Sequence, residues 1–170
     1  MKLIRQDGRF FRVCDPSWID CCDGSYSARF GGRWNPPNSF PVLHLNANLE
    51  TARANARRVY EGEAFSLMDL NPTARPHLQL LEITRCDAVD AISIDGLEAL
   101  GLPSDYPRNT GPERCRPIGL NLYEKNVTGI AARSAALDGG KELALMHLQL
   151  ATKHQRLPFN QWYLQDGAEL

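Results

Sequence analysis

Gly31-Gly32-Arg33-Trp34-Asn35-Pro36-Pro37, followed closely by Pro41-Val42-Leu43-His44-Leu45, is the stretch from which the rest of this chain is read. Two glycines permit a tight turn in which the backbone passes close to its neighbours. A cation, a large aromatic ring and an amide come next, and a double proline then stops regular structure. An arginine fork suits phosphate, and an indole offers a stacking face, so the turn reads as one edge of a pocket for an anionic, aromatic ligand. An ordinary surface turn with a half-buried Trp fits the same residues, and the stretch alone does not separate the two.

Outward from this turn, bulk composition narrows the classes. The 170 residues are expected to form a single domain, 1–170, with a substantial core. A hydrophobic share of 43% and a charged share of 23% place the chain among ordinary soluble globular proteins. The net charge of −1 argues against direct nucleic-acid binding, which normally shows as a basic excess. No apolar run approaches the roughly 18 residues that a membrane span needs, and the opening Met1-Lys2-Leu3-Ile4-Arg5 lacks the apolar centre of a signal peptide. Five cysteines, an odd number without a CxxC pair, suggest a reduced, cytoplasmic chain with no metal site.

Local patterning predicts mixed elements. Arg9–Val13 reads as a first strand and Val42–Leu45 as a short buried one. Asn48 is a plausible N-cap for a helix running to Tyr60. His77–Ile83 and Ala88–Ile94 read as two strands, and Asp95 as the cap of a short helix ending at Gly101. Glu113–Lys125 reads as a helix and Val127–Ala132 as a strand, while Leu143–Leu148 fits either. Strands and helices mix without strict alternation, which points to an α+β fold.

Five polar residues sit in suggestive places: Arg12, Arg33, His44, Asn55 and Ser134. Arg12 lies inside a strand, where burial would demand an anionic partner, although an edge facing water would serve equally. His44 should face away from Leu43 and Leu45. Asn55 lies mid-helix among arginines, which also fits a solvated face, and Ser134 ends a strand before Asp138-Gly139-Gly140. No phosphate-loop, dinucleotide, zinc-protease or nucleophile-elbow signature is present.

Taken in series, these segments resemble the RES domain, named for an Arg, a Glu and a Ser. Phe11-Arg12-Val13, the Gly31–Pro37 stretch and Phe40–Leu45 fit its N-terminal half. Leu97–Pro103 and Cys115–Gly119 fit its middle, and Gly129–Ala135 with Gly139-Gly140 its C-terminal half. The similarity runs over roughly residues 10–150, with the GGRWN segment as its specific part. It implies a split, mainly antiparallel α+β sheet core with flanking helices, like that of ADP-ribosyltransferases, around an NAD cleft. It also implies a toxin that consumes NAD at the nicotinamide–ribose bond, by hydrolysis or phosphorolysis, or that transfers ADP-ribose to a protein. The implied partner is an Xre-type helix-turn-helix antitoxin, with a homodimer or a toxin–antitoxin hetero-oligomer both open.

On this resemblance Arg12, Arg33, Trp34 and Ser134 would bind NAD, and Arg33, His44, Asn55 and Ser134 would serve catalysis. His44 stands where the family usually has Tyr, and Asn55 where it has its Glu. An amide carries no charge to offset a cationic ribose, so a RES domain that binds NAD or an antitoxin without turnover is the rival reading. Glu50, Glu61 and Glu63 are the nearby acids that would have to substitute.

Overall fold

Residues 1–165 are described by a computed structural model. Strand β1 (Leu3–Cys14) is followed by a short helix α1 (Ser25–Phe30), strand β2 (Leu43–Asn46) and helix α2 (Leu49–Arg58). A long strand β3 (His77–Ala91) leads through α3 (Ile94–Ala99) to α4 (Pro112–Glu124). Strands β4 (Gly129–Arg133), β5 (Lys141–Leu145) and β6 (Ala151–Leu157) and a turn of helix, α5 (Phe159–Trp162), complete the chain.

The strands do not form the expected split, mainly antiparallel sheet with flanking helices. β1 pairs with β2, β2 with β5, β5 with β4, β4 with β3, and β3 returns to β1, so five strands close into a barrel. The ring is mixed, because β3 and β4 run parallel while the other pairings are antiparallel. The cause is β3. Two strands are expected there, yet His77–Ala91 forms one strand of 15 residues. One of its edges pairs with β1 from His77 to Val89. Its other edge is shared, with β6 on the first half and β4 on the second. A stave that long brings β1 round to meet β2, at the single register pair Phe11↔Asn46. Closure removes the open edges that a flat sheet would expose.

All five ring strands contribute to one apolar cluster, which includes Phe10, Leu43, Leu45, Leu81, Ile83, Ala131, Leu143 and Leu145. Side chains alternate along a strand, so the residues between these point outward. His44 and Glu142 therefore lie on the outer face of β2 and β5. Two further clusters cover that outer surface. One packs Trp34, Phe40 and Tyr106 with residues of α3 and α4, and the other packs α2 and α5 against Phe11, Leu78 and Leu80. Asn48 caps α2 as expected, its side chain accepting from the Thr51 N–H at 2.8 Å. Helix α3 is capped by Ser93 rather than Asp95.

Candidate functional site

A cleft of about 390 Å³ opens between the Gly31–Pro37 turn, β2, α2 and the start of β5. Its walls include Gly32, Arg33, His44, Asn46, Asn55, Arg58 and Glu142. The glycines shape one wall. Gly31 has φ of 76°, a left-handed conformation that side chains resist. Gly32 has no room for a side chain, because a Cβ there would run into the His44 ring and the Asn35 amide. Asn35 locks the turn from behind, donating to the carbonyls of Ser27 at 2.7 Å and Phe40 at 3.1 Å. Arg33 is then held over the Tyr106 ring, its Nη1 donating to the Thr110 carbonyl at 2.8 Å.

The facing wall is a polar network. Asn46 and Glu142 are register partners across β2 and β5, and Glu142 also pairs with Ala132 of β4. Ser134 lies two residues beyond Ala132, on the same side of the chain. Asn55 on α2 donates from Nδ2 to Asn46 Oδ1 at 2.7 Å and to Glu142 Oε1 at 2.8 Å. Ser134 Oγ donates to the same Glu142 Oε1. Asn46 Nδ2 is spent on the Phe11 carbonyl at 3.0 Å, which reinforces the narrow β1–β2 contact.

Charge is unevenly spread across the cleft. Burial, with the nearby guanidinium groups of Arg12 and Arg33, lowers His44 to about 4, so its ring is neutral at physiological pH. Its Nε2 is closed off from solvent without a hydrogen-bond partner. Arg12 is buried, lies over the Trp18 ring, and its Nη1 also lacks a partner. Neither Arg12 nor Arg33 forms a salt bridge among the described residues. The Tyr106 hydroxyl beneath Arg33 is buried and unpartnered, and burial raises its ionisation well above the usual phenol range.

The cleft thus brings Arg33, His44 and Asn55 into one wall system, with Ser134 bonded to it from the side. Ser134 also backs onto a neighbouring cleft of about 420 Å³ lined by Tyr106, Arg108, Arg133 and Lys141. Arg12 stands behind His44 rather than on the cleft wall. Trp34, expected to stack on a ligand, is 2% exposed and packs against Tyr106 with ring centroids 6.0 Å apart. It supports the turn from the core. The acids proposed to substitute at position 55 do not reach the cleft: Glu50 is exposed, and Glu61 and Glu63 line a separate surface groove beside Tyr60. Glu142 and Asn46 are the residues that sequence reading missed. The alternation Lys141-Glu142-Leu143-Ala144-Leu145 is the signal that could have placed Glu142 on an outward strand face.

Fold and site together are a closed mixed barrel whose cleft, among the described residues, carries Arg33 and Arg58 and one carboxylate, Glu142. The chain belongs to the RES domain family, whose model matches residues 9–162. It is 24% identical over 142 residues to the NAD(+) phosphorylase MbcT of Mycobacterium bovis, an alignment covering 84% of this chain and 74% of that protein. The MbcT proteins of two Mycobacterium tuberculosis strains match to the same extent. The fold is also similar to the crystal structure of the M. tuberculosis MbcT–MbcA toxin–antitoxin complex. There the TM-score is 0.77 at 21% identity, with 91% of this chain and 85% of that one covered. No helix among the described residues is long and apolar enough to cross a membrane.

Proposed function

We infer that this chain is a RES-type toxin that degrades NAD by cleaving the nicotinamide–ribose bond, with phosphate or water as acceptor. The observation that carries the reading is the cleft's charge pattern. Among the described residues Arg33 has no acidic partner and lines the cleft near a neutral His44, Arg12 adds charge from beyond the wall, and one carboxylate, Glu142, lies on the strand next to His44. Arg33 suits a pyrophosphate, since a bidentate fork matches its oxygens and their charge, and Arg12 adds positive charge from beyond the wall. His44, Asn55 and Ser134 suit the nicotinamide ribose, where hydroxyl groups need fixed donors and acceptors. The similarity to NAD(+) phosphorylases favours phosphate over water as the acceptor.

The chemistry asks little covalent work of the protein. As the C1′–N bond breaks, its electron pair leaves with nicotinamide, whose ring nitrogen loses its positive charge. The ribose carries that charge until a phosphate or water oxygen bonds to C1′. Fixed groups that favour this charge distribution accelerate the step. The fold similarity to a toxin solved together with its antitoxin supports an antitoxin protein as partner. An Xre-type helix-turn-helix antitoxin encountered in the cytoplasm is the form we infer.

The test is nicotinamide release from NAD by the purified protein, with and without inorganic phosphate. Phosphate-dependent release with a phosphorylated ADP-ribose product is the expected result, and phosphate-independent release identifies a glycohydrolase. Retained NAD binding without release would instead support the binding-only reading that Asn55 suggests.

A further inference from the structure

Glycosidic cleavage of NAD leaves positive charge on the ribose, and a site for it gains most from a negative group held beside that sugar. Position 55 on α2 holds an amide, so the charge must come from elsewhere. Among the described residues, Glu142 is the sole acidic side chain lining the cleft. We propose that Glu142, on β5, is the carboxylate that faces the nicotinamide ribose and offsets its charge as the bond breaks, an assignment that rests on the NAD reading above.

The way Glu142 is held supports this role. Its register partners Asn46 and Ala132, on the strands either side, fix its place on the outer face of the barrel. Oε1 accepts from both Asn55 Nδ2 and Ser134 Oγ. Oε2 has no protein hydrogen bond among the described residues and is not sealed from solvent. One oxygen is therefore an anchor and the other is left open to solvent. Asn55 completes the logic. A second carboxylate at position 55 would lie within hydrogen-bond range of Glu142, and two such groups resist being charged together. An amide there turns a repulsive neighbour into a donor that orients the remaining carboxylate. The site has one negative charge, carried on the strand, with the helix supplying its partner.

A purely structural role makes a different prediction. If Glu142 only tethers α2 to the barrel, Glu142→Gln keeps an acceptor for Asn55 and Ser134 and leaves turnover unchanged. If it offsets charge, Glu142→Gln lowers kcat for nicotinamide release by about 100- to 1,000-fold with KM little altered. Adding Asn55→Glu to that variant returns a carboxylate beside the same position and recovers at least about tenfold of the lost kcat, as expected when charge rather than packing was removed. Glu142→Asp, which withdraws the charge by one methylene, covers the case in which Glu142→Gln does not fold, and an intermediate kcat is expected. Wild-type release matched by Glu142→Gln or by Glu142→Asp overturns the assignment of Glu142 and leaves the NAD reading intact. Absence of release from the wild type overturns the NAD reading, and this proposal with it.

Discussion

Gly32 lacks a side chain because His44 occupies the space one would need. A Cβ there meets the imidazole and the Asn35 amide, both held by surrounding structure. Gly32→Ala is expected to cost about 1–3 kcal/mol, the usual range for forced overpacking, and to lower nicotinamide release at least tenfold by displacing His44. Thermal melting and the NAD assay read the two effects separately. His44 itself makes stability depend on pH. Burial and the two arginines hold its folded value at about 4, below the ordinary 6.5, so the unfolded chain takes up a proton that the folded one refuses. The contribution is complete above pH 6.5 and is lost as pH falls toward 4, up to about 3 kcal/mol. Denaturant titrations at pH 7 and pH 4.5 should differ by less in His44→Gln than in the wild type. An equal difference in both would show that other groups carry the acid sensitivity.

Elements were legible in proportion to how local their causes are. The Asn48 cap and the helix behind it follow from neighbouring residues, and α2 runs from Leu49 to Arg58 much as the pattern suggests. The cap of α3 misleads because Ser93, two residues before Asp95, is bound to Asp90 through its hydroxyl and accepts the Gly96 N–H at 3.1 Å. β3 reads as two strands because the polar Thr84–Asp87 stretch looks like a connection; Arg85, at φ of 48°, lets the strand bend there without ending. β5 is the costliest miss for function. Read as Leu143–Leu148 the segment is apolar but for His147 and fits helix or strand, whereas the strand begins at Lys141, which puts Glu142 within it. The same element scale gives a test of the β1–β2 contact. Asn46 bonds the Phe11 carbonyl and receives Asn55, so Asn46→Ala strands two partly buried partners. A loss of about 1–3 kcal/mol is expected. Faster hydrogen exchange at the β1–β2 contact than at the long β1–β3 ladder would place that loss at the closure.

Closure is a property of the whole molecule, and no short window of sequence contains it. β1 pairs with β3 some seventy-five residues later, Cys14↔His77 at one end of the ladder and Leu3↔Val89 at the other, and periodicity reports nothing about such pairing. The site inherits this dependence. The cleft is lined by Arg33 from the glycine turn, His44 from β2, Asn55 from α2 and Glu142 from β5, so a ligand held in it would span several segments that unfolding would separate. Binding should therefore stabilise the fold as a unit. A non-cleavable NAD analogue at one hundred times its Kd adds about 2.7 kcal/mol, or roughly 5–10 °C in Tm for a chain of this size. Arg33→Ala, which removes from the cleft wall the guanidinium proposed to meet phosphate, is expected to abolish most of that shift at the same analogue concentration while leaving the ligand-free Tm within a few degrees. Lys125→Ala, at an exposed position just past α4, should retain it in full. An undiminished shift in Arg33→Ala would mean that NAD binds away from the glycine turn, and the neighbouring cleft bordered by Arg108 and Lys141 would then be the place to substitute next.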